Sequence, residues 1–135
     1  MTIPVELAAL RGRIEEYGQR GYLLTAGPDG RPHSVGVGVR WVDDLLVTAP
    51  GNTTLANASA RPLVALLWPP AEPGGYSLIV DAEVVSASGS GQGDNAVALR
   101  PTKAVLHRPA ADQAPGEELQ PGCTSDCVPV FKPVP

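Results

Sequence analysis

Gly36, Gly38 and Arg40 recur at two-residue intervals in a run, Pro32 to Trp41, that alternates like a β-strand. His33, Val35, Val37, Val39 and Trp41 then point one way, and Ser34, Gly36, Gly38 and Arg40 the other. Two absent side chains beside a guanidinium would let a flat ring lie against the backbone, with a fork ready for a phosphate or carboxylate. Plainer roles fit the same residues: glycines that relieve crowding at a bend, and a strand-end arginine paired with Asp43 or Asp44. A second group follows at Thr48, Asn52, Thr53 and Thr54. Hydroxyls and the N–H groups of a helix start suit an anion. The same residues could equally do no more than cap a helix.

Other reactive side chains are sparse. His33 faces away from the glycine row, and His107 ends a strand before Arg108-Pro109. One histidine can ligate haem, but nothing adjoining either of them sharpens that reading. Cys123 and Cys127 stand near the C-terminus without two further ligands, so no metal site is expected. A chance pair or a reversible disulfide is the simpler account. Ser34, Ser77 and Ser86 lack a nucleophile-elbow context, and Gly89-Ser-Gly-Gln-Gly93 lacks the lysine of a phosphate loop. No catalytic residue is assigned.

The elements that must carry these residues are short. Pro4 suits a first helical turn, and Leu7, Leu10, Ile14 and Tyr17 then form one apolar stripe, with Gly18 and Gly21 as stop signals. Tyr22–Ala26 and Pro32–Trp41 flank Gly27-Pro28-Asp29-Gly30, a strong turn, and read as a hairpin. Leu45–Thr48 is a third strand. A short helix, capped by Asn52 or Thr53, lies between Pro50 and Pro62. Leu63–Trp68, Tyr76–Ser86 and Ala96–His107 are three more strands. Pro101 interrupts the last and points to an edge or bulge. Ala87–Gly93 reads as a mobile glycine-rich loop. Six strands and two helices in so short a chain favour a closed or partly closed antiparallel barrel. Residues 1–108 are expected to form it, and 109–135 a proline-rich irregular tail.

The chain has 135 residues, 43% of them hydrophobic, and a net charge of −4. That supports one domain with a real core and disfavours a nucleic-acid partner. The N-terminus carries Glu6, Glu15 and Glu16 and no continuous apolar segment, and the longest apolar run is too short to span a bilayer. A cytoplasmic protein without membrane association is expected. With one Phe and three Tyr, a small barrel must still cover Trp41, Trp68 and long apolar strands, so a homodimer is expected.

Gly21-Tyr-Leu-Leu-Thr-Ala-Gly-Pro-Asp-Gly-Arg-Pro-His33 resembles the opening hairpin of the pyridoxamine 5'-phosphate oxidase-like split-barrel family. Thr54 to Asn57, then Arg61 to Trp68, then Tyr76 to Glu83, continue in that family's order, and Pro101 to Pro109 resembles the final strand of a small bacterial subgroup. The resemblance spans residues 20–109. It implies a six-stranded split barrel with an N-terminal and an inter-strand helix. It also implies a homodimer that holds a flavin, or a related deazaflavin or haem, at the subunit interface. Carried over by position, Gly36, Val37, Gly38, Arg40, Thr48, Asn52, Thr53 and Thr54 would bind the cofactor. The family commonly has arginine and lysine where this chain has Thr53 and Thr54, so flavin mononucleotide (FMN) is expected to bind weakly. The basic, aromatic C-terminal motif of true pyridoxamine-phosphate oxidases is absent, and vitamin B6 oxidation is not expected. Three roles stay open: a flavin- or deazaflavin-dependent oxidoreductase, a non-catalytic flavin or haem binder, and a cofactor-free dimeric scaffold.

Overall fold

Alternation of inward and outward side chains organises the whole molecule. The structure, a computed structural model, describes residues 1–110. Along Pro32–Val42, Val37 and Val39 are buried while Ser34, Gly36, Gly38 and Arg40 are exposed, as the two-residue period requires. The element order is β1 (Thr2–Val5), a single 3-10 turn (Leu7–Ala9), α1 (Leu10–Tyr17), β2 (Arg20–Ala26), β3 (Pro32–Val42), β4 (Leu45–Thr48), α2 (Asn52–Ala60), β5 (Leu63–Trp68), β6 (Ser77–Ser88) and β7 (Ala96–His107). All pairings are antiparallel. The strands run β7-β4-β3-β2-β5-β6, and β6 pairs again with β7, so six strands close a barrel. The N-terminal helix and the inter-strand helix complete the split-barrel architecture.

The N-terminus differs from the sequence expectation. Pro4 lies in a strand, not in a first helical turn, and the α-helix begins only at Leu10. A seventh strand therefore joins the expected six. Thr2, Ile3 and Val5 are β-branched, which favours extended backbone. The N-terminal amine donates to the Arg108 carbonyl at 2.8 Å, and the Arg108 N–H donates to the Met1 carbonyl at 3.1 Å. Residues 1, 3 and 5 thus bond to β7, and Pro4 turns its nitrogen to the open side, where no ladder bond is lost. Leu7, counted in the helical stripe, is exposed, whereas Leu10 and Ile14 are buried and plug the barrel. Gly18 ends α1 at φ 99°, its N–H donating to the Ile14 carbonyl.

Gly21 is not a stop signal; it sits inside β2. A methyl group there would stand 3.0 Å from Trp68 Cε2 and 3.1 Å from the Leu67 carbonyl oxygen. Trp68 is 1% exposed, and its Nε1 donates to the Gly18 carbonyl at 3.0 Å. The missing side chain at Gly21 therefore lets the largest core residue bridge β5 to the end of α1. Trp41 is only half-buried, with the Arg11 guanidinium 4.5 Å above its ring. Pro101 falls at a register shift in the β6–β7 ladder, and Thr102 Oγ1 donates to the Asp81 carbonyl. Among the described residues, no helix is long and apolar enough to cross a membrane. Cys123, Cys127 and nearly all of the tail lie outside the described residues.

Replacing Gly21 by Ala is expected to lower stability by about 1–3 kcal/mol through overpacking against Trp68. Urea unfolding followed by tryptophan fluorescence measures it; an unchanged midpoint would disprove the Gly21–Trp68 account.

Candidate functional site

The length of β4 shapes the site. Its four residues pair with Val39–Val42 of β3, while Pro32–Gly38 pairs with β2. The first part of β3 thus has β2 along one edge and, among the described residues, no strand along the other. The Val39 N–H donates to the Gln19 carbonyl, so odd residues of β3 turn their peptide groups toward β2. Even residues, Gly36 and Gly38 among them, turn theirs to the open edge. Both glycines also leave the outer face of the strand bare.

Crowding does not explain these glycines. An added Cβ would meet nothing nearer than 3.9 Å at Gly36 and 3.7 Å at Gly38, which is ordinary contact, and neither has a positive φ. Among the described residues, packing leaves room there that it does not use.

Two neighbouring clefts of about 330 and 320 Å³ run along this edge and share Ala49. Gly38, Arg40 and Thr48 line the first; Gly36, Val37, Asn52, Thr53 and Thr54 line the second. All eight residues expected from the sequence border one continuous region. They do not all present side chains to it. The Val37 side chain is buried, so only its backbone is accessible. Thr48 faces inward opposite Val39, on the other side of the sheet from the glycines, because the period of two puts it there. Thr48 is 3% exposed, and among the described residues its hydroxyl has no hydrogen-bond partner. A buried hydroxyl without a partner is costly. Thr54 is also buried, at 2% exposure, whereas Asn52 and Thr53 are exposed.

The start of α2 differs from expectation as well. Gly51, not Asn52 or Thr53, is the N-cap residue, and it offers no side-chain acceptor. The first-turn N–H groups therefore lack a side-chain cap. Asn57 anchors the helix: its Nδ2 donates to Thr25 Oγ1 at 3.1 Å, and Arg61 Nε donates to the Ala26 carbonyl.

Arg40 is exposed and, among the described residues, forms no ion pair; Asp43 and Asp44 do not hold it. Beside it stands a residue that the sequence reading missed. Arg20 pairs with Gly38 across β2 and β3, and its Nη1 would lie 3.7 Å from a Cβ at Gly38. Arg20 is exposed and likewise makes no ion pair among the described residues. The signal was available: the tight turn at Gly27–Gly30 fixes the hairpin register, and counting back from it sets Arg20 opposite Gly38. Tyr22, 45% exposed, stands opposite Gly36 in the same way. A bare strip of backbone thus lies between two guanidiniums, a tyrosine and an uncapped helix start. That arrangement suits a flat ring carrying an anionic group.

His33 borders the second cleft. His107 lies elsewhere, its Nδ1 3.2 Å from Thr2 Oγ1 on β1.

Two mycobacterial proteins align along nearly the whole chain. Uncharacterized protein Mb0449c of Mycobacterium bovis is 37% identical over 138 residues, covering 92% of this chain and 93% of that protein. Uncharacterized protein MT0457 of Mycobacterium tuberculosis matches to the same extent. This chain belongs to their family. No family model matches it. Solved structures show its fold. An F420 reductase superposes with a TM-score of 0.54 at 20% identity, over 64% of this chain and 88% of that one. An FMN-binding protein of Syntrophomonas wolfei gives 0.61 at 12% identity, over 77% and 87%. The haem-storage protein HutZ of Vibrio cholerae gives 0.53 at 12%, over 73% and 91%. The fold is the pyridoxamine 5'-phosphate oxidase-like split barrel that the opening hairpin resembled.

Thr48→Val is expected to leave stability unchanged or raise it by about 1 kcal/mol, since a buried orphan polar atom is removed. Thermal unfolding tests it, and a loss of several degrees would mean that the hydroxyl has a structural partner.

Proposed function

We propose that this chain is a flavin-binding split-barrel protein, with FMN or a related deazaflavin as cofactor, that works as an oxidoreductase. The observation that carries the reading is the strip of backbone at Gly36 and Gly38, which internal packing does not need, flanked by Arg20 and Arg40. The residues fit such a group. The glycine peptides would face the ring, and the start of α2, with Asn52 and Thr53, would receive the phosphate. A flavin, when bound, supplies hydride or electron transfer itself, and the protein orients and shields it. This agrees with the scarcity of acid–base candidates around the clefts. The F420- and FMN-binding neighbours support the same reading by fold.

A homodimer belongs to the proposal. The outer face of β2 and β5 carries Tyr22 at 45% and Leu63 at 70% exposure, with half-buried Leu24 and Leu67 between them. Tyr22 pairs with Leu67 and Leu24 with Ala65, so the patch is continuous, and it adjoins the glycine strip. A second copy of the chain would cover this face and wall the cofactor region. Analytical ultracentrifugation at micromolar concentration is expected to give a dimer, and Leu63→Glu to shift it toward monomer; a monomeric native protein would refute this part.

Affinity for FMN follows from the cations. Neither Thr53 nor Thr54 supplies charge, and Arg20 and Arg40 stand on the strand face rather than at the helix start. A hydrogen bond to a charged group is worth about 1.5–3 kcal/mol, roughly ten- to a hundredfold in affinity. Native FMN binding is therefore expected to be weak, well above the nanomolar range. Thr54 is buried and cannot take a lysine, but exposed Thr53 can take an arginine. Fluorescence-quenching titration is expected to show Thr53→Arg binding about tenfold tighter, and Arg20→Ala and Arg40→Ala binding more weakly. Absence of binding in every variant would favour a cofactor-free scaffold; a Soret band in the purified protein would favour haem.

A further inference from the structure

The loop between β6 and β7 is tied down rather than loose. β6 runs on to Ser88, and the loop that follows closes on itself: the backbone N–H and the hydroxyl of Ser90 both donate to Asp94 Oδ1, at 2.8 and 2.9 Å. These donors, the N–H foremost, hold the Asp94 carboxyl below the ordinary carboxylate range. Asn95 then docks the loop onto the residues that precede and open α2. It is 7% exposed, and both hydrogens of Nδ2 and the Oδ1 are engaged within the protein.

Its orientation is forced. Asn95 Oδ1 accepts from the Gly91 N–H at 3.3 Å, and Nδ2 donates to the Pro50 carbonyl at 3.0 Å. A backbone N–H can only donate and a carbonyl can only accept, so the amide cannot turn round. The second hydrogen on Nδ2 goes to Asn52, 2.8 Å away, which must meet it with Oδ1. The Asn52 NH2 group is left as the donor with no partner among the described residues. Gly91, at φ +84°, packs on that same amide: a Cβ there would stand 3.3 Å from Asn52 Nδ2 and 3.4 Å from Oδ1. Asn52 lines the cleft at the uncapped start of α2, and Asn95 lines the adjoining one.

We infer that Asn95 is a positioning residue that holds the Asn52 side-chain amide with its NH2 group available to the phosphate of a ligand in the cleft. The inference rests on the flavin mononucleotide reading and adds to it how this chain, lacking the arginine–lysine pair, prepares a neutral donor. Asn95 does not touch the ligand; it acts through Asn52. Without Asn95 the Asn52 amide rotates freely, and in half of its orientations it offers an oxygen that repels the anion.

The test uses the full chain in four forms: native, Asn52→Ala, Asn95→Ala and the double variant. Each is titrated with FMN and with riboflavin, which lacks the phosphate, so the ratio of the two affinities reads phosphate recognition alone. The native chain is expected to prefer FMN. Asn52→Ala should cut that preference about tenfold. Asn95→Ala should cut it by less, and should add nothing in the Asn52→Ala background. Riboflavin affinity should stay level throughout. An unchanged preference in Asn95→Ala, or an equal loss in both backgrounds, overturns the positioning role while leaving the flavin reading intact. A native chain that binds neither compound, or both equally, overturns the flavin mononucleotide reading and this inference with it. A measurement that needs no variant covers the case in which Asn95→Ala fails to fold. In nitrogen-15 spectra of the native chain, the Asn95 side-chain amide protons should be protected from solvent exchange and those of Asn52 should not. The reverse pattern refutes the assignment.

Discussion

The fold depends on β7 serving three neighbours. One edge of its twelve residues pairs with β6 along the whole length. The other edge is divided: Val97–Leu99 pairs with β4, and Ala104–His107 pairs with β1. Buried strands need partners for every peptide group, so once β4 stops after four residues something else must complete β7. β1 does so. The same shortness acts in the opposite direction on β3, whose first half is left, among the described residues, with one bare edge. The divided edge of β7 and the exposed strip of backbone are two effects of one short strand.

Around that strip, the two faces of each strand divide the work. Inward residues such as Leu23, Val39, Leu66 and Trp68 make the core. Outward residues at the same positions along the chain, Arg20, Tyr22, Gly36, Gly38 and Arg40, form the strip and its flanks, the surface proposed for the cofactor. The two sets are interleaved, so the core fixes the spacing of the surface groups to within a strand register. α2 then brings Asn52 and Thr53 to the edge, and Asn57 and Arg61 hold it against β2.

Much of this was legible. Period-two alternation located β3 and its bare face, and turn chemistry located the hairpin; Leu63–Trp68 and Ala96–His107 were placed to the residue. What the sequence hid has physical causes. Pro4 reads as a helix start because its conformation suits both a first turn and an edge strand, and only the partner β7 decides between them. Thr48 and Thr54 look like ligand groups by type, but their facing depends on strand parity and helix phase. Arg20 was recoverable by counting register from the turn. Asn95 was not: Pro50 and Asn52, the partners of its Nδ2, lie 45 and 43 residues away in the chain, and no local pattern marks an amide whose role is to orient another.

The placement of Pro4 bears on how this molecule meets copies of itself at high concentration. β1 ends the strand order, so its outer edge would be the natural place for another sheet to dock and for ordered aggregates to grow. At the middle of that edge the chain presents a pyrrolidine ring in place of an N–H. An incoming strand would find its ladder broken after one or two bonds. Strand addition at this end of the sheet is thus opposed at the residue most easily mistaken for a helix start.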